Sequence, residues 1–128
     1  MLSILLIDDS AVQLRIRKAV LEQAGFRVLT ASSAEAAFAA LSSDNANGPR
    51  VRAIVTDHVM PDVPGSVFVR QLRALNSEIP VIVISGLPEA VSEYDGLNVH
   101  FRYKPCPPAE LIDLIRSVTK ARYFSAAV

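Results

Sequence analysis

Five short strand-like runs, each followed by a stretch with helical spacing, constrain this chain more than any other feature. The runs are residues 2–7, 26–31, 53–56, 80–85 and 99–103. They are too short for helices, and continuous Val/Ile/Leu runs are how strands of a buried parallel sheet read. Strictly alternating strand and helix implies a parallel sheet with helices on both faces, because each parallel crossover needs an intervening helix. One three-layer α/β domain of the (βα)5 kind is therefore expected over residues 1–128, with no internal repeat. Val81-Ile82-Val83-Ile84 is the most apolar run and is expected toward the middle of the sheet.

The helices have their own signals. Asp9 or Ser10 can cap the first, whose buried stripe is read as Val12, Ile16, Ala19 and Val20, with Gln13, Arg17, Lys18 and Glu22 facing water and Gly25 as the stop. Ser32-Ser33-Ala34-Glu35 reads as a capping box for a second helix with Ala34, Phe38 and Leu41 inside. Residues 42–50 read as the most loop-like segment. Phe68, Leu72 and Leu75 mark a third helix, residues 88–94 allow only about two turns, and Pro107 or Pro108 opens the last, with Leu111, Leu114, Ile115 and Val118 inside. No reading attaches to the apolar tail, residues 123–128.

Composition excludes several classes. The 13 basic and 13 acidic residues cancel, leaving no footprint for nucleic acid. A lone Cys106 cannot form an internal disulfide framework and suits a reducing compartment. No apolar run nears the ~18 residues of a membrane span, and the start lacks the charge of a signal peptide. The expectation is a cytoplasmic protein without membrane or nucleic-acid partners.

Chemistry collects at the strand ends. Run one ends in Asp8-Asp9, run three in Asp57 ahead of His58-Val59-Met60-Pro61, run four in Ser85-Gly86, and run five in Lys104-Pro105. In a parallel sheet these four ends share the C-terminal edge, where open α/β sheets bind ligands. Three neighbouring carboxylates raise one another's pKa, a conflict that a hard divalent cation such as Mg²⁺ removes through oxygen ligands. Lys104 adds an ammonium, and Ser85 a hydroxyl donor for a phosphoryl oxygen. Phosphoryl transfer needs little beyond an in-line nucleophile and charge neutralisation, and a carboxylate is a recognised acceptor. Asp57, alone on its strand, is the acceptor candidate, and Asp8 and Asp9 are the metal-ligand candidates.

Read singly, Asp8-Asp9 is a helix cap, Asp57 and Ser85-Gly86 are turn residues, and Lys104 is a solvated strand end. Four such coincidences in order are what the joint reading excludes. His58 and His100 lack metal-ligand spacing and read as surface or loop residues, and Cys106 as a structural thiol.

These motifs, Asp8-Asp9, Asp57-x-x-Met60-Pro61-x-x-x-Gly65, Ser85-Gly86 and Lys104-Pro105, resemble the receiver domains of two-component response regulators, and the match runs along essentially the whole chain. The resemblance implies a flavodoxin-like fold with strand order 2-1-3-4-5, an order taken from the family. It implies a chemotaxis-regulator-like signalling switch, not a turnover enzyme. Asp57 would take a phosphoryl group from a phosphohistidine of a sensor kinase or phosphotransfer protein. Mg²⁺, for which Mn²⁺ can substitute, would be held by Asp9, Asp57 and the Val59 backbone carbonyl, with Asp8 acting partly through water. Ser85, Gly86 and Lys104 would bind the phosphoryl group, a cis Lys104-Pro105 bond would aim the lysine inward, and Ser85 with Phe101 would throw the switch. The readout would be the face of the fourth helix, fifth strand and fifth helix. Plain strand core is the rival role for Phe101.

Departures from the family pattern are Ser85 for the commoner Thr, Phe101 without a hydroxyl, a shortened segment between Ser85 and Lys104, and a lengthened one at residues 42–50. Apolar Val59 and Leu87 flank the phosphoryl position and are expected to screen water from it. Two other functions compete. A haloacid-dehalogenase-type phosphohydrolase uses Asp-x-Asp on the first strand, whereas here the acids are adjacent. An unphosphorylated interaction module has no need of Asp57, Lys104 and both acids. Without an output domain in the chain, a single-domain regulator and a receiver from a longer protein are both open readings.

Overall fold

The computed structural model describes residues 2–47, 50–75 and 77–127. Five parallel strands, β1 (Ser3–Ile7), β2 (Arg27–Ala31), β3 (Val51–Asp57), β4 (Val81–Ser85) and β5 (His100–Tyr103), form one sheet in the order β2-β1-β3-β4-β5. Helices α1 (Ala11–Gln23), α2 (Ala34–Asn47), α3 (Gly65–Ala74), a 3₁₀ helix (Pro88–Tyr94) and α4 (Pro108–Ala127) connect and follow them. The fold is flavodoxin-like, with β3 central and β4 beside it. Every residue of β1 and β4 is buried, as a both-faces-covered strand requires.

Strand alternation divides the core in two. Leu5, Ile7, Ile54 and Val83 pack with Phe68, Val69 and Leu72 of α3 on one face. Ile4, Leu6, Val55, Ile82 and Ile84 pack with Leu21 of α1 and Leu111, Ile115 and Val118 of α4 on the other. Edge strand β5 is short, half-exposed and carries Arg102, features that discourage edge-to-edge pairing.

Helix ends follow local chemistry. Ser10 caps α1 by accepting the Gln13 N–H at 3.2 Å. Gly25, at φ +101°, closes it: the Gly25 N–H reaches the Glu22 carbonyl and the Phe26 N–H the Leu21 carbonyl, while Phe26 and Leu21 join the same cluster. That is a Schellman stop, and only glycine takes its left-handed position freely. Pro108 opens α4.

Several sequence expectations are corrected. Val12 and Ile16 are 60% and 54% exposed, and Ala19 also faces water; Leu21 is buried, and Leu14, Arg17 and Lys18 are partly buried. The helical period was right and its phase wrong, because Leu14 and Leu21 supply a competing apolar row on the face that also carries Arg17. Leu75 lies past the end of α3 and is 69% exposed. The cap of α2 is Ser33, which accepts the Ala36 N–H at 3.1 Å, one residue later than a capping box at Ser32 puts it. The loop expected at 42–50 is helical through Asn47, so the Ala-rich helix outlasts its polar signals; residues 48–49 lie outside the described residues. The side chains of the tail at 123–128 also lie outside them. Among the described residues no helix is long and apolar enough to cross a membrane.

Candidate functional site at the C-terminal edge of the sheet

Asp8 follows β1, Asp57 ends β3, Ser85 ends β4 and Lys104 follows β5, so parallel topology brings all four to one edge. Asp8 and Asp57 are 2% and 6% exposed, and Asp9 is open to solvent. One carboxylate oxygen from each of Asp8, Asp9 and Asp57 lies within 4.8 Å of the others. The Lys104 ammonium sits 3.1 Å from both oxygens of Asp57, and the Lys104-Pro105 peptide bond is cis. The Lys104 N–H also donates to the Ser85 carbonyl at 2.9 Å, registering the lysine against the end of β4.

Ser85 is buried, and its Oγ accepts the Leu87 N–H at 3.0 Å. Gly86 beside it is exposed, as are the apolar side chains of Val59 and Leu87. A groove of about 610 Å³ runs from this edge between α1 and the start of α4, lined by Asp8, Asp9, Arg17, Asp57, Lys104 and Cys106 among others. Burial pushes the Cys106 thiol up, away from reactivity.

Three features escaped the sequence reading. First, Arg17 faces inward, its Nη1 3.2 Å from Oδ2 of Asp8, while Oδ1 of Asp8 accepts the Ser10 N–H at 2.9 Å. The available signal was Arg17 lying between Leu14 and Leu21 at spacings of three and four, on their face of the helix.

Second, His58 is no surface residue: it is 6% exposed. Its Nδ1 pairs with Tyr94 Oη at 2.7 Å, and its Nε2 lies 3.5 Å from the Glu93 carboxylate, which also accepts from Ser66 Oγ at 2.9 Å. Tyr94, at the end of the 3₁₀ helix, packs on Phe101, which packs on Tyr103 with ring centroids 5.7 and 5.3 Å apart. Phe101 is thus half-buried in an aromatic row that starts beside Asp57. Burial pushes the Tyr94 phenol above its ordinary range, and the charges of Glu93 and Asp57 add to the effect. Gly65 lets this closure happen: a Cβ there would stand 2.5 Å from Tyr94 Oη and 2.9 Å from the Asp57 carbonyl.

Third, Asp62, in the loop after Asp57, accepts the Glu35 N–H at 3.0 Å and the Ala34 N–H at 3.1 Å. These bonds hold its carboxyl below the usual range and tie the loop to the start of α2. His100 is exposed, as expected of a loop or surface histidine, and partial desolvation against its neighbours, helped by the charge of Arg102, lowers its pKa.

The sequence model of the response regulator receiver domain matches residues 4–116. The transcriptional regulatory protein AruR of Pseudomonas aeruginosa is 32% identical over 126 residues, covering 93% of this chain and 51% of AruR. The hydrogenase transcriptional regulatory protein HoxA of Cupriavidus necator is 34% identical over 125 residues, covering 94% of this chain and 24% of HoxA. The chain thus spans about half or less of these relatives' length. A response regulator receiver domain protein from Clostridium thermocellum superposes with a TM-score of 0.86 at 25% identity, covering 97% of this chain and 98% of that one.

Proposed function

The chain belongs to the response regulator receiver domain family of two-component systems, and on that premise we propose that it is a phosphorylation-operated switch whose phosphoacceptor is Asp57. The supporting observation is the Asp57 carboxylate itself, buried, within reach of two further carboxylates and bridged by Lys104. Residues 1–128 act as the receiver unit. The donor is a phosphohistidine of a sensor histidine kinase or phosphotransfer protein, and the output partner is a protein.

In the transfer, an Asp57 oxygen attacks phosphorus and forms an O–P bond as the P–N bond to the imidazole breaks, and the imidazole leaves with the electron pair. Lys104 neutralises Asp57 beforehand and pairs with the phosphoryl oxygens afterwards. Ser85 and the backbone at Gly86 bind another of those oxygens. The acids fit a hard cation because every donor offered is an oxygen and one oxygen from each lies within 4.8 Å of the others. Asp8, Asp9, Asp57 and the Val59 carbonyl would hold Mg²⁺ or Mn²⁺, Asp8 partly through water. Bound there, the ion supplies charge neutralisation for the phosphoryl oxygens.

The switch follows from the bonds Ser85 already makes. A phosphoryl group adds about −1.5 to −2 charge and strong acceptors, which draw the Ser85 hydroxyl from its bond with the Leu87 N–H. Leu87 immediately precedes the 3₁₀ helix, whose last residue, Tyr94, contacts both His58 and Phe101. Motion of Ser85 therefore reaches Phe101 and the face formed by the 3₁₀ helix, β5 and α4, a local charge change biasing a packed element. Val59 and Leu87 screen the aspartyl phosphate from water.

Intact-protein mass after incubation with acetyl phosphate or phosphoramidate and Mg²⁺ tests the reading. One phosphoryl group is expected on the wild type, and none on Asp57→Asn or in EDTA. An adduct on Asp57→Asn, or none on the wild type, overturns it. Sustained phosphate release from varied small esters would instead identify a phosphohydrolase.

A further inference from the structure

The acid cluster comes with two internal cations, and they are not equivalent. Lys104 bridges the acceptor Asp57, with a side chain 41% exposed. Arg17 reaches Asp8 from the second turn of α1, and that pair is far less open to water, the two side chains being 17% and 2% exposed. Oδ1 of Asp8 is engaged by the Ser10 N–H, so Arg17 holds the remaining oxygen, Oδ2. Coulomb interactions between such enclosed groups are screened less than those at the surface.

We propose that Arg17 is a built-in competitor of the divalent cation: its guanidinium holds Oδ2 of Asp8 and sets how tightly the site takes metal. The inference rests on the reading of Asp8, Asp9 and Asp57 as cation ligands. A divalent ion drawing on Asp8 meets a carboxylate whose two oxygens already accept from Ser10 and Arg17, and it meets a fixed positive charge whichever oxygen it takes. Removing that charge leaves the carboxylates to the ion alone. Arg17 in this way stabilises a buried carboxylate between activation events and makes cation binding weaker than three acids would give unaided.

The test is Mn²⁺ binding to the full chain, with free Mn²⁺ read by electron paramagnetic resonance. Arg17→Gln is expected to lower the Kd for Mn²⁺ on the order of tenfold. It should also increase the rise in melting temperature that Mg²⁺ produces. Arg17→Lys keeps the charge and is expected to stay within about threefold of the wild type. Arg17→Leu, which extends the Leu14–Leu21 row, removes the charge without leaving a polar gap and replaces the glutamine variant if that one does not fold. Equal or weaker Mn²⁺ binding by the charge-free variants overturns the proposal while leaving the cation site intact. Failure of the wild type and all variants to bind Mn²⁺ sinks the cation-site reading and this inference together.

Discussion

α1 and α3 both lead away from strands that deliver site carboxylates, yet they pack in opposite ways. α3 buries Gly65, Ser66, Phe68, Val69 and Leu72 within ten residues, whereas α1 fully buries only Leu21 within thirteen. Arg73 extends the anchoring of α3 by donating to the carbonyls of Ser77, Ile79, Leu97 and Asn98, pinning the approaches to β4 and β5. α1 leaves Val12 and Ile16 in solvent and turns Arg17 toward the acid cluster. The α3 side is a rigid mount for Asp57, where packing dominates. On the α1 side a different apolar row, Leu14 and Leu21, docks, and it carries Arg17 to the acids while Val12 and Ile16 face water.

The largest test of this contrast is Phe68→Ala. Phe68 is fully buried and packs against the Phe38 ring in a tilted arrangement with centroids 4.9 Å apart, and its truncation should cost about 3–5 kcal/mol of unfolding free energy in urea denaturation. A loss below about 1 kcal/mol would mean that α3 is not the anchor.

A smaller effect concerns the loop that joins this mount to α2. Asp62 has a carboxyl pKa below its usual 3.8, chiefly through the N–H groups of Glu35 and Ala34. A depressed folded-state pKa contributes stability above the unfolded value that is lost as pH falls through the folded one. Wild type should therefore lose more stability than Asp62→Asn between about pH 5 and the acid side of 3.8. Parallel pH–stability curves would contradict this anchoring of the loop. Because Asp62 is exposed, the difference is modest.

The smallest effect is expected on α1. Ile16→Ser should change stability by no more than about 0.5 kcal/mol, since Ile16 already faces water. A loss of about 2 kcal/mol or more would restore the apolar stripe first read from the sequence.

The strand ends were legible because one rule suffices: parallel strands send their C-terminal residues to the same edge. Asp8, Asp57, Ser85 and Lys104 needed nothing further to meet, and the family motifs named their partners in order. The phase of α1 was not legible, since periodicity reports that a helix has an apolar row and leaves open which of two rows docks. The burial of His58 is illegible for a related reason. A histidine after a strand looks solvated until Tyr94, 36 residues later, closes over it.

The chain's own order of apolar runs, caps and strand-end polar residues determined the α/β class, the single edge and the identity of the acids, hydroxyl and ammonium there. Those depend on local periodicity and on a topology that short crossovers enforce. Tertiary packing alone decided that Arg17 meets Asp8, that Asp62 accepts the N–H groups of Ala34 and Glu35 and that His58, Tyr94 and Phe101 form one row. Each of these is a contact through space between elements whose relative rotation is set by how they dock, and no spacing along the chain encodes that angle.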